Sequence, residues 1–111
     1  MYLQIRRLNK YDNQSSTYNG VIYHSHKERS YAQELDLRVK AGELKEWKRQ
    51  VPIDLVVNGI KICRYYIDFV EIDPKGNETY VEIKGYETAV WRLKWRLFDA
   101  LFPALDKKVV K

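Results

Sequence analysis

Two runs, Tyr65-Tyr66-Ile67-Asp68-Phe69-Val70 and Tyr80-Val81-Glu82-Ile83-Lys84-Gly85, decide how this chain is read. Each has the aromatic and β-branched content of a strand, and each carries charge where strands disfavour it. Between them, Asp73-Pro74-Lys75-Gly76-Asn77 has the composition of a turn. The two runs are therefore expected on neighbouring strands, the first ending near Ile72 and the second spanning Glu78 to Lys84. A buried, unpaired carboxylate costs several kcal/mol (roughly) or takes up a proton. Acids inside such strands need a compensating partner.

Upstream, Asn58-Gly59 is the strongest two-residue hairpin signal known. It joins the strand that runs from Ile60 to Ile72 to an earlier one from Trp47 to Val57. In that earlier strand Trp47, Val51, Ile53, Leu55 and Val57 are expected on one face, with Lys48, Gln50 and Asp54 on the other. A helix is expected from Ser25 to Ala41, with Ser25 as N-cap and Gly42 as its stop. Tyr31, Ala32, Leu35 and Val39 recur at helical spacing, and one turn back the same stripe reaches Glu28. Downstream, a second helix spans Thr88 to Phe102 before Pro103. It has one stripe of Val90, Leu93, Leu97 and Leu101 and an adjacent one of Trp91, Trp95, Phe98 and Phe102. Lys107 to Val110 forms a last short strand. At the start, Asn13 to Thr17 reads as loop, Asn19-Gly20 as a turn and Val21 to Tyr23 as a small strand. The order is helix, three strands, helix, strand: an α/β or α+β sheet with helices packed on it.

The 111 residues suffice for a single domain, 1–111. Residues 1–24 form an N-terminal arm and 25–111 the core. A content of 45% hydrophobic and 14% aromatic residues supports a packed globule. A formal charge of +5 and a pI near 9.3 favour an anionic partner, nucleic acid being the commonest. Cys63 is the sole cysteine, so neither an intrachain disulfide nor a cysteine zinc site can form. A reducing cytoplasm is the default expectation. No signal peptide and no membrane span are expected.

Side chains two apart on a strand share a face, so Glu82 and Lys84 are expected to point together. Asp68, on the preceding strand, is expected beside Glu82. Like charges that close repel unless a cation lies between them. Mg²⁺ suits such a place, taking one or two carboxylates, waters and phosphate oxygens. Lys84 can then position a water or stabilise charge on a phosphate in the transition state. For Asp68 the plain structural alternative is an ion pair with Arg64 or Lys84. For Glu82 and Lys84 it is a cross-strand pair on a solvated face. Taken together on a basic chain, the catalytic reading leads. For Glu28 the spacing favours a different role: Ser25-His26-Lys27-Glu28 is itself a capping box.

Glu82-Ile83-Lys84 follows Ile67-Asp68 with Glu82 14 positions after Asp68, and this spacing resembles the PD-(D/E)XK nuclease superfamily. The likeness extends to a small phage and prophage family of endonucleases. It is carried by Asn9-Lys10-Tyr11, Thr17-Tyr18-Asn19-Gly20, Ser25 to Glu28, Ala41-Gly42-Glu43, Asp68-Phe69-Val70 and Glu82-Ile83-Lys84-Gly85. The resemblance implies a restriction-endonuclease-like core over 25–111. It implies metal binding by Asp68, Glu82 and Glu28, with Lys84 as catalytic lysine and Gln50 in support. It implies Mg²⁺, with Mn²⁺ as a substitute, and DNA cleavage leaving a 5′-phosphate and a 3′-hydroxyl. Ile67 stands where the superfamily signature has Pro; that Pro is not a ligand.

From Lys84 to Arg96 the cations Lys84, Arg92, Lys94 and Arg96 face one acid, Glu87. Arg92, Lys94 and Arg96, with Lys27 and His26 from the first helix, are expected to hold flanking phosphates. Trp91 and Trp95 can stack on unpaired bases, though core packing is favoured for them. Arg6, Arg7, Lys10 and His24 in the arm can lie over the substrate. The expectation is a metal-dependent DNA endonuclease of phage recombination, repair or packaging. It is structure-specific in the manner of a junction resolvase, acts as a homodimer in the host cytoplasm, and has no membrane partner. The rival reading is a catalytically silent nucleic-acid-binding or assembly protein with the same fold.

Overall fold

The Asn58-Gly59 turn lies at the end of the longest feature of the molecule, a two-stranded ribbon. A computed structural model describes residues 15–111. The arm residues Arg6, Arg7 and Lys10, and the stretch Asn9-Lys10-Tyr11, lie outside the described residues. The elements are β1 (Ser16–Tyr18), β2 (Val21–Tyr23), α1 (His26–Lys40), β3 (Glu46–Val57), β4 (Ile60–Ile72), β5 (Glu78–Ile83), α2 (Ala89–Leu101) and β6 (Asp106–Val110). The main sheet has the order β3-β4-β5-β6, antiparallel for its first two pairings and parallel between β5 and β6. This is the mixed α+β architecture that the order of elements predicts.

Local chemistry sets the boundaries. Ser25 Oγ accepts the Glu28 N–H at 3.1 Å and Thr88 Oγ1 accepts the Trp91 N–H at 3.1 Å, capping the two helices. Asn58 and Gly59 both have positive φ, 51° and 78°, as a tight hairpin of this kind requires. Ser16 and Thr17, expected in a loop, instead belong to β1. They pair with β2 across Asn19-Gly20, and this small hairpin packs on α1. Its rows are held by tertiary contact, which local composition does not report. Lys84 lies one residue beyond β5, although its N–H still donates to Val110 O.

Two clusters form the core. Tyr23, Ala32, Leu35, Leu44, Phe69, Val81 and Ile83 pack with α1. Leu55, Tyr65, Ile67, Val70, Ile72, Trp91 and Phe98 pack with α2. Of the two stripes on α2, the aromatic one faces inward, while Val90 and Leu93 are exposed.

The ribbon of β3 and β4 does not keep one face to one cluster. Trp47 and Phe69 belong with α1, whereas Val51, Ile53, Ile67 and Tyr65, at positions of the same parity, belong with α2. The expectation that Trp47 to Val57 present a single packed face is corrected accordingly. The face turns over between residues 47 and 51 of β3 and between 67 and 69 of β4. Gln50 and Asp68 sit at that turnover.

Candidate active site

The site is opened by a fork between strands. The β4–β5 ladder ends at the pair Phe69 and Val81. The next position on each strand is Asp68 on β4 and Glu82 on β5, so the two acids stand where the strands begin to part. The Ile83 N–H, released from the ladder, donates to Asp68 Oδ2 at 2.9 Å. Asp68 thereby takes the place of the missing strand partner. Asp68 and Glu82 are brought together, as their spacing predicts.

Gln50, on β3, stands opposite Asp68 on β4. Arg49 pairs with Phe69 and Val51 with Ile67 without a change of register, and only Gln50 drops out. Its φ of 49° is left-handed, a conformation costing a side chain about 1–2 kcal/mol. In it, Gln50 Nε2 donates to Asp68 Oδ1 at 3.3 Å. The sequence places Gln50 on the outer face with Lys48 and Asp54; the backbone rotation instead turns it to Asp68. Strain of this kind persists where the surroundings fix it, commonly at functional sites.

Glu82 is held from the other side. The Trp91 indole N–H lies 2.7 Å from Glu82 Oε2 and 2.9 Å from the Tyr65 hydroxyl oxygen. Lys84 Nζ is 4.0 Å from the same Oε2 and 4.9 Å from the centre of the Trp91 ring. Glu82 Oε1 is buried and has no hydrogen-bond partner among the described residues. With Glu82 only 4% exposed, the solvated cross-strand pair is ruled out. Arg64 pairs with Asp54 at 2.8 Å, which removes it as the partner of Asp68.

Burial alone does not single out this acid. Glu71 is equally buried, but its oxygens are taken by the Tyr31 hydroxyl, Arg38 and Lys108. That cluster is a satisfied core ion pair. Glu82, by contrast, keeps an oxygen in reserve beside a second carboxylate.

Glu28 arrives on α1, buried, and half of its capping box is present: Ser25 Oγ caps the Glu28 N–H. Its carboxylate lies 3.9 Å from His24 Nδ1. Burial, and then repulsion from Asp68, push its pKa up to about 7, against the pull of Arg49 and Lys84. Burial also raises Asp68, opposed chiefly by the Ile83 N–H. Glu82 is raised by burial and then by the charge of Asp68, opposed by Tyr65 and Lys84. Three acids near one another are thus each raised from their ordinary values, a shift that a bound cation would oppose.

The expected trio of ligands is not assembled as a trio. Among the described residues no three of His, Cys, Asp and Glu converge on one point. Glu28 approaches Asp68 from α1, whereas Glu82 is turned to α2 by Trp91. The donor chemistry of Asp68 and Glu82 nevertheless fits Mg²⁺: two hard carboxylates, one oxygen of which has no hydrogen-bond partner among the described residues.

Among the expected phosphate contacts, Lys27 Nζ donates to Lys84 O at 3.4 Å, beside the acids. His26 is exposed at the start of α1. Arg92 and Arg96 are exposed on one flank of α2, and Lys94 is half-buried on the other. Three residues of the site have roles that the sequence does not signal. Trp91 and Tyr65 orient Glu82, and Arg49 lies 4.7 Å over the Tyr23 ring and acts on Glu28. Only the turnover of the ribbon and the docking of α2 bring them in.

The fold and the site together define a mixed α+β protein with a buried and a half-buried acid, Glu82 and Asp68, at a strand fork, with one strained glutamine and one lysine. The chain belongs to the family described as "Protein of unknown function (DUF1064)", whose model matches residues 8–111. No curated protein and no solved structure matches it. No helix among the described residues is long and apolar enough to cross a membrane.

Proposed function

We propose that this protein is a divalent-metal-dependent nuclease that hydrolyses phosphodiester bonds in DNA. The observation that carries the reading is Glu82 Oε1, a buried carboxylate oxygen with no hydrogen-bond donor among the described residues, set beside the Asp68 carboxylate. Asp68 and Glu82 would hold Mg²⁺ or Mn²⁺. When bound, the ion would supply Lewis acidity at a phosphoryl oxygen and would lower the pKa of a water bound to it. Gln50 and the Ile83 N–H fix the Asp68 carboxylate, and Trp91 fixes that of Glu82. Lys84 brings a positive charge to the phosphate, where charge develops in the transition state. Water adds to phosphorus and the bond to the 3′ oxygen breaks, giving a 5′-phosphate and a 3′-hydroxyl. The PD-(D/E)XK resemblance and the basic charge support DNA as substrate and a role in phage recombination, repair or packaging. Action as a homodimer on branched DNA extends the same analogy.

The test uses labelled duplex, flap, four-way-junction and single-stranded DNA with Mg²⁺ or Mn²⁺. Asp68→Asn, Glu82→Gln and Lys84→Ala should fold normally by circular dichroism and lose about 100-fold or more of the cleavage rate. Cleavage by all three at the wild-type rate rejects the proposal. Mn²⁺ binding by calorimetry, lost in Asp68→Asn, separates the enzyme from a silent binding protein.

A further inference from the structure

Beside the acids, on the far side of Trp91, α2 and the end of β6 enclose an open groove of about 320 Å³. Trp91, Trp95 and Val109 form its floor, and the surface it offers is mainly apolar. The two indoles are stacked, 5.9 Å apart at 20°. Trp91 is 9% exposed, so most of the accessible aromatic surface belongs to half-buried Trp95. Arg92, Arg96 and Lys111 stand on the rim with Glu87. Glu87 is neutralised by Lys111 at 3.0 Å, and its backbone carbonyl accepts from Arg92 Nη1 at 3.1 Å. Among the described residues neither Arg92 nor Arg96 has a carboxylate within ion-pair distance. The rim therefore carries two uncompensated guanidinium groups beside the accessible part of the Trp95 indole.

Phosphates alone do not need such a floor, because cations on any surface hold them. A paired base cannot use it either, since its faces are already stacked inside the duplex. An acidic peptide would satisfy the rim, but would cover the indole only where an aromatic side chain stands beside its carboxylates. An unpaired nucleotide satisfies both parts, its base against the aromatic floor and its phosphates against Arg92 and Arg96. The volume lies at the lower end of the range for small-molecule sites. The groove and the acid pair share one side chain, since the indole that lines the groove also donates to Glu82.

We infer that this groove binds an unpaired nucleotide of a DNA strand adjoining the phosphodiester held at Asp68 and Glu82, so that the substrate is DNA with a single-stranded segment at the cut. The inference deepens the nuclease reading and rests on it for the position of the cut. Arg92 and Arg96 are phosphate-binding residues in it, and Trp95 is a base-stacking residue.

Binding is measured on the full chain in EDTA, where no cleavage can occur, with short oligothymidylate and a duplex of the same length as probes. Oligothymidylate should quench tryptophan fluorescence and bind at least about five-fold tighter than duplex. Arg92→Ala and Arg96→Ala, both at exposed positions, should each weaken binding and reduce the slope of log affinity against log salt by about 1. Trp95→Leu should weaken it about five-fold or more, and Trp95→Phe, which keeps a ring in the core, should weaken it less. Equal binding of duplex and single strand, with both arginine variants unchanged, overturns the inference. Polyglutamate quenching the fluorescence as well as oligothymidylate also overturns it, in favour of an acidic protein partner. If oligothymidylate binds as expected but no substrate is cut with Mg²⁺ or Mn²⁺, the groove stands and the nuclease reading falls. If DNA is cut but the groove variants bind normally, the reverse holds.

Discussion

At Gln50 a single backbone rotation does what no side-chain choice in a regular strand can do. A residue in the middle of β3 normally points up or down, yet Asp68 lies sideways across the ribbon. The left-handed φ of 49° aims the amide at Asp68 Oδ1 and removes Gln50 from the ladder. Glycine adopts this conformation without steric cost and a β-branched residue resists it. Gln50→Gly should therefore leave unfolding free energy within about 1 kcal/mol of wild type. Gln50→Val should lower it by more than Gln50→Gly does, and chemical denaturation measures both. If the glutamine serves Asp68, Gln50→Gly should also reduce cleavage while leaving the fold in place. Trp91 offers a second check on single residues. Trp91→Phe keeps a ring in the core and removes the N–H that holds Glu82 Oε2. Mn²⁺ affinity should fall about 10-fold, the lower end of what loss of an orienting partner costs, and calorimetry reads it.

Helix α2 carries structure and site on one face. Its aromatic stripe fills the core, with Phe98 completely buried among Tyr65, Tyr80, Trp95 and Phe102. Phe98→Ala should cost about 3–5 kcal/mol of stability. The first turn of the same helix presents Trp91 to Glu82, and Thr88 fixes that turn by accepting the Trp91 N–H. Thr88→Ala should cost about 1 kcal/mol, seen as a lower Tm. The residue chemistry of this element was legible from spacing alone: an N-cap, a stop at Pro103 and two apolar stripes. Which stripe faces inward was not legible, because Val90 and Leu93 are as apolar as the residues that are buried. The docking surface decides it, and aromatic rings fill the hollow under the bent ribbon.

For the molecule as a whole, the acids at the fork make stability depend on pH and on metal together. Glu28 has a folded-state pKa of about 7 against an ordinary 4.5, and Asp68 and Glu82 are displaced in the same direction. The folded protein therefore binds protons more tightly than the unfolded chain at these groups. The Glu28 contribution is fully present below pH 4.5 and is lost as pH rises through about 7, that of Glu82 is lost through about 8, and that of Asp68 has the same sign. In EDTA, Tm should be higher near pH 5 than near pH 8, and Mn²⁺ should raise it near pH 8 far more than near pH 5. A Tm that rises with pH in EDTA, or that ignores Mn²⁺ at both values, would contradict this account.

Residue order was enough to give the elements from α1 onward, the Asn58-Gly59 hairpin and the turn after Ile72, both helix caps and the neighbourhood of Asp68 and Glu82. These follow from rules acting over a few residues: positive φ at Asn-Gly, side-chain oxygens at helix starts, and the pairing of strands joined by a short turn. The tertiary structure alone decided the turnover of the ribbon at Gln50 and Asp68, the clamp of Trp91 and Tyr65 on Glu82, and the separation of Glu28 from Glu82. Each of those depends on how two helices load a twisted sheet from opposite sides. That balance is set by the packing of many side chains at once, and no local pattern records it.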